Sequence, residues 1–187
     1  MRSTLIAGLL FLLPAHIANA EEFGVWRSGV ETDSMTEKRT PFVIGTGDGL
    51  KVEITCKTYE SRSSEYKDLR ALHGKRYFRV GFVADSYLGY TIPPPAIIRV
   101  DKNPALEVDL SSHSKNAVIV ISGAAFINKL VGKQLRVRLW GMDNVKHEYT
   151  LSLEGMPAAI EHLKKDCGMT PGNTYRENDP ERIRPAR

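Results

Sequence analysis

Leu50-Lys51-Val52-Glu53-Ile54-Thr55-Cys56 alternates apolar and polar side chains without a break. Successive side chains on an extended chain point to opposite faces, so Leu50, Val52, Ile54 and Cys56 share one face and Cys56 points into a core. Gln134-Leu135-Arg136-Val137-Arg138-Leu139 repeats the pattern, with Leu135, Val137 and Leu139 inward and Arg136 and Arg138 outward. One buried and one solvated face is the mark of an antiparallel sheet.

Similar short segments recur between turn signals. They are Phe23 to Trp26, Pro41 to Ile44, Tyr77 to Val83, Ala96 to Val100, Leu106 to Leu110, Ala117 to Ile121 and His147 to Leu153. Many short strands with one apolar face predict a mainly β fold, an antiparallel β-sandwich. The 187 residues, 42% hydrophobic and 26% charged, fit one globular domain. The net charge of +4 implies nucleic-acid or lipid affinity only if it clusters on one face, and no nucleic-acid partner is expected.

Helices are few in this pattern. Met156, Ile160, Leu163 and Cys167 form one stripe, with Pro157 in the first turn, Lys164 and Lys165 in the last, and Gly168 beyond the end. A short helix is predicted from Ala124 to Val131, and another from Glu65 to Leu72 with Ser64 as its cap. Residues 21–168 are read as a single β-rich domain. Residues 169–187 hold few apolar side chains, three prolines and dense mixed charge, which predicts a disordered tail.

Residues 1–20 read as an export signal. Arg2 supplies the positive start, Leu5 to Leu13 the apolar stretch, and Ala18-Asn19-Ala20 the small-residue cleavage site. The apolar run is about half of the ~20 residues a spanning helix needs, so no transmembrane anchor is expected. Cys56 and Cys167 are the only cysteines, and one pair in an exported chain predicts one disulfide. The loop it would close spans most of the domain, which chain entropy values on the order of 4 to 5 kcal/mol.

No catalytic constellation, metal site or cofactor motif can be placed. His73, His113, His147 and His162 show none of the HxH, HExxH or CxxC spacings of metal sites. Gly45-Thr46-Gly47-Asp48-Gly49 lacks the order of a phosphate-binding loop and reads as a turn between strands. Ser122-Gly123 lacks the frame of a nucleophile elbow and reads as a helix cap. Asp33 to Thr36 and Asp143-Asn144 read as turns.

Two surfaces are candidates for binding. Arg99 with Lys102, and Lys133 with Arg136 and Arg138, form a cationic face if their strands are neighbours, as do Lys75, Arg76 and Arg79; otherwise they are ordinary outward positions. Tyr87, Tyr90, Ile92 and Pro93, Pro94 and Pro95 read as a partner-docking ridge or as an edge strand guarded by prolines.

The C-terminal half also carries a resemblance. Ile98 to Asp101, Phe126 to Leu130, Leu135 to Arg138, Tyr149 to Gly155, Ala159-Ile160 and Cys167-Gly168 resemble the VasI/TagO-like type VI secretion-associated periplasmic proteins, as do Trp26 and Asp33 to Thr36. The order of elements is also similar, more weakly, to the invasion-associated locus B proteins. The resemblance implies a small disulfide-linked β-rich domain, a periplasmic location and an accessory role, with no catalytic residue. The expectation is therefore a non-catalytic exported protein that binds an envelope or secretion-system protein, or an anionic envelope surface. The alternative is a secreted effector or inhibitor.

Overall fold

A computed structural model describes residues 18–58, 74–86, 88, 92–120, 123–141, 144–170 and 183–186. Seven strands form the larger sheet: β1 (Ala18–Phe23), β2 (Trp26–Thr32), β3 (Arg39–Gly47), β4 (Leu50–Thr58), β5 (Arg76–Ala84), β8 (Leu110–Ser114) and β9 (Ala117–Val120). Their spatial order is β1-β2-β3-β4-β5-β9-β8. The smaller sheet comprises β6 (Ala96–Val100), β7 (Leu106–Val108), β10 (Gln134–Trp140), β11 (Lys146–Ser152) and β12 (Ile183–Pro185), in the order β11-β10-β6-β7-β12. Every neighbouring pair is antiparallel. Helix α1 (Gly123–Ile127) packs against β5, and α2 (Met156–Cys167) packs across β1, β2 and β3. The fold is thus the expected antiparallel β-sandwich with one disulfide.

Alternation fills the core as read from the sequence. Leu50, Val52, Ile54 and Cys56 are buried, and so are Leu135, Val137 and Leu139. Phe126 of α1 meets Phe82 of β5 edge-to-face, with ring centroids 5.5 Å apart. Trp26 couples the sheets. Its ring lies over Gly45, its partner across β2 and β3, and Nε1 donates to the carbonyl of Ser152 on β11 at 2.8 Å. A Cβ on Gly45 would sit 2.6 Å from that ring, and one on Gly47 would meet the Thr150 carbonyl at 2.7 Å. Both glycines are therefore strand residues that admit close approach. Only Asp48 and Gly49, with φ of 45° and 75°, make the turn.

The disulfide joins Cys56 of β4 to Cys167, the last residue of α2, with Cα atoms 6.0 Å apart. His162 adds a polar tie between the same helix and the larger sheet. Its Nδ1 lies 3.0 Å from Ser28 Oγ and 3.4 Å from Asp166 Oδ2, and its Nε2 lies 3.3 Å from Glu21 Oε1.

Several expected elements are differently bounded. Phe23 to Trp26 is a hairpin corner, because β1 ends at Phe23, which pairs with Trp26 across the two-residue loop Gly24-Val25. Leu106 to Leu110 is two strands, since the chain leaves the smaller sheet after Val108 and enters the larger at Leu110. Helix α1 stops at Ile127 because the next bonds, Lys129 N–H to the Phe126 carbonyl and Leu130 N–H to the Ile127 carbonyl, reach back three positions instead of four, a tighter turn. The helix predicted from Glu65 to Leu72 lies outside the described residues, as do residues 171–182.

The domain limits also shift. Ile183–Pro185 of the expected disordered tail is a strand, paired with β7. Ile183 is buried beside Val108, and Arg184 binds Glu107 and Asp109, each at 2.9 Å. At the other end β1 begins at Ala18, so cleavage after Ala20 would leave Glu21 to Phe23 of that strand.

Two tests follow from this packing. Gly45→Ala should destabilise by about 1–3 kcal/mol in urea unfolding, as overpacking does, because Trp26 cannot move without losing Ser152. Cys56→Ser should cost roughly 2–5 kcal/mol, and a non-reduced peptide map of the wild type should show Cys56 and Cys167 in one linked species.

Candidate functional site

The outward residues of three adjacent strands build a groove on the smaller sheet. Strand β6 contributes Ile97 and Arg99, β10 contributes Arg136 and Arg138, and β11 contributes Glu148 and Thr150; together they line a cavity of about 220 Å³. Register decides how these charges meet. One transverse row runs Thr150, Arg136, Arg99, and the next runs Glu148, Arg138, Ile97.

In the second row charge is balanced, because Arg138 Nε donates to Glu148 Oε1 at 2.7 Å. In the first row it is not. Arg136 and Arg99 stand directly opposite each other, both exposed, and neither forms an ion pair with a described residue. Their polar contacts are weak and neutral: Arg99 Nη2 donates to the Lys102 carbonyl at 3.5 Å, and Arg136 Nε donates to Gln134 Oε1 at 3.4 Å. Like charges facing across a strand pair are unfavourable, so this row has an unmet need for negative charge.

Asp101 sets that register. It follows β6 at φ 52°, and its carboxylate accepts the N–H groups of Lys133, at 3.0 Å, and Gln134, at 2.9 Å. The first residues of β10 are thereby pinned beside the end of β6, which brings Arg136 level with Arg99. An Asp that follows a strand and precedes no helix is the one sequence signal for such a clamp.

The cationic face is therefore narrower than its residues implied. Arg99 and Arg136 are joined, and Lys133 is exposed at the entry to β10. Arg138 is neutralised by Glu148. Lys75, Arg76 and Arg79 contribute nothing here, since β5 belongs to the other sheet. The aromatic and proline ridge is described only in part. Tyr87 and Tyr90 lie outside the described residues, Pro93 is buried, and Pro94 and Pro95 are half-buried, leaving Ile92 as the exposed residue of that group.

Two serine-histidine pairs, invisible in the sequence, also appear. Ser28 faces His162, as described above, yet the serine is fully buried and its Oγ donates to the Phe42 carbonyl at 3.3 Å, so no substrate can reach it. Ser86 Oγ accepts from Tyr149 Oη at 3.1 Å and lies 3.1 Å from His147 Nδ1. This chain of bonds closes the polar ends of β5 and β11 over the core. Ser122 and Asp143 lie outside the described residues. Asp33 is the predicted turn residue: its carboxylate accepts the Met35 and Thr36 N–H groups at 2.9 and 2.8 Å. Bonds from Thr36 and then Met35 hold that carboxyl below the usual aspartate range.

No protein-family model, curated protein or solved structure matches the chain.

The opposed arginines make a paired stability test. Arg136→Glu places a carboxylate opposite Arg99 and should stabilise by roughly 0.2–1 kcal/mol. Arg138→Glu faces Glu148 instead and should cost about as much. Urea unfolding of the two variants should show opposite signs. Equal effects would mean that the register places the two arginines otherwise.

Proposed function

We propose that this protein is a non-catalytic, exported binding module of the bacterial envelope, which holds an anionic partner on Arg99 and Arg136. The observation that carries this reading is the pair of guanidiniums facing each other, exposed and with no carboxylate among the described residues, in a concave part of the sheet. A partner's carboxylate or phosphate seated between them removes the repulsion and gains charge-assisted hydrogen bonds to two planar donors. Thr150, in the same row, adds a hydroxyl beside them. Ile97, in the next row, offers apolar contact.

Export is supported by two features. The leader-like residues 1–20 are one. The other is the disulfide between Cys56 and Cys167, a bond typical of oxidising compartments. Among the described residues no helix is long and apolar enough to cross a membrane. The periplasm is the compartment in which such a module meets envelope assemblies. The likeness to VasI/TagO-like proteins favours an accessory role beside a secretion assembly.

The test is crosslinking in periplasm with the wild type and an Arg99→Glu/Arg136→Glu variant. The wild type should capture an envelope component that the variant does not. Capture should fall as salt approaches ~1 M, where the screening length is ~3 Å. Capture that is unchanged in the variant and insensitive to salt would overturn the assignment. Recovery of the protein from the culture medium without lysis would favour the secreted alternative.

A further inference from the structure

The outer face of the larger sheet carries a second groove, of about 240 Å³, built around a residue with no side chain. Gly81 of β5 is its floor. Glu53 on β4 and Ile119 on β9 flank it across the sheet, and Arg79 and Val83 flank it along the strand. Thr55 stands opposite Arg79, and Asn116 lies at the rim.

Three features of this groove are unexplained by folding. Thr55 is only 7% exposed, and among the described residues its hydroxyl meets no hydrogen-bond partner. A buried hydroxyl left unpaired is costly and rare in native proteins. Arg79 forms no ion pair with a described residue; its Nη2 rests on the ring nitrogens of His113, at 3.1 and 3.2 Å. Positive charge is crowded nearby, since burial, then Arg79, then Lys38 hold the Lys57 ammonium below the usual lysine range. Finally, Gly81 leaves space that folding does not require. A Cβ there would meet nothing closer than the Val118 carbonyl at 3.7 Å.

We infer that this groove binds a single acidic sugar unit, its ring lying over Gly81, its hydroxyls on Thr55, Glu53 and Asn116, and its acid group on Arg79. The volume falls below the ~300–1,000 Å³ of pockets for larger ligands, which restricts the occupant to one small ring. Val83 and Ile119 offer apolar contact to a ring face. Glu53 is paired with Lys51 at 3.3 Å through one oxygen and keeps the other to accept hydroxyl protons, so a ligand that fills the groove carries its acid group at one end and hydroxyls at the other. A carboxylate and a phosphate both suit a guanidinium.

The experiment titrates the purified protein with glucuronate, glucose 6-phosphate, glucose and inorganic phosphate, followed by amide NMR shifts. One or both acidic sugars should give saturable shifts confined to β4, β5, β8 and β9, and whichever binds identifies the acid group. Glucose and phosphate should bind at least ~10-fold more weakly, for want of the charge or the hydroxyls. Gly81→Val should fold, because its side chain enters open space on a strand, and should lose binding. Thr55→Val, which removes the orphan hydroxyl at nearly constant shape, should match or exceed wild-type stability and weaken binding ~10-fold. The inference is overturned if neither acidic sugar saturates, if glucose or phosphate binds as well, or if both variants bind like the wild type.

Discussion

Trp26 can reach across the interior to Ser152 because Gly45 and Gly47 bring β3 close to β11. A side chain at either position would hold the two strands apart and break the indole hydrogen bond. That bond joins the second strand of the chain to the eleventh, so the closure of the sandwich depends on a contact between its two ends. Close-packed interiors transmit such a constraint, since a shift in one layer must be absorbed by its neighbours. The buried faces of β4 and β10 are apolar on their own, but their spacing is set here.

The larger sheet is wider than the smaller, and α2 covers its surplus inner face. The disulfide anchors that helix at its C-terminal end, and His162, between Ser28, Glu21 and Asp166, anchors its middle. The arrangement accounts for a serine, a histidine and carboxylates in hydrogen-bonding reach of one another as a tie between helix and sheet. Ser28 is buried because its strand is roofed by the helix, and the bonds it makes are those that a buried hydroxyl requires.

With the core faces so occupied, the remaining polar groups stand on the two outer faces, and each departs from the neutral alternation of an ordinary solvated sheet. On the smaller sheet, Asp101 aligns Arg99 with Arg136, while a row away Arg138 is neutralised by Glu148. At the far edge Arg184 is neutralised by Glu107 and Asp109. The contrast between paired and unpaired arginines on one surface is what singles out the groove. On the larger sheet, Thr55 beside Gly81 meets no hydrogen-bond partner among the described residues, and Arg79 rests on His113 rather than on a described carboxylate.

The alternation of Leu50 to Cys56 and Gln134 to Leu139 sufficed to determine the class of fold and the inward and outward faces, and the stripe Met156, Ile160, Leu163 and Cys167 the helix that ends in Cys167, because periodicity is a local property of the chain. The pairing of Cys56 with Cys167 was equally legible, there being no other cysteine. Strand adjacency was not, since it depends on which apolar faces pack across long separations. Hence only the tertiary structure decided that Arg99 meets Arg136 while Lys75, Arg76 and Arg79 lie on another sheet. It also decided that Ile183 to Pro185 join β7, as three residues gain a strand's stability only where Val108, Glu107 and Asp109 already wait for them. Gly45 and Gly47, in sequence a turn, became the closest approach between sheets for the same reason: a missing side chain has meaning only against the neighbour that fills its place.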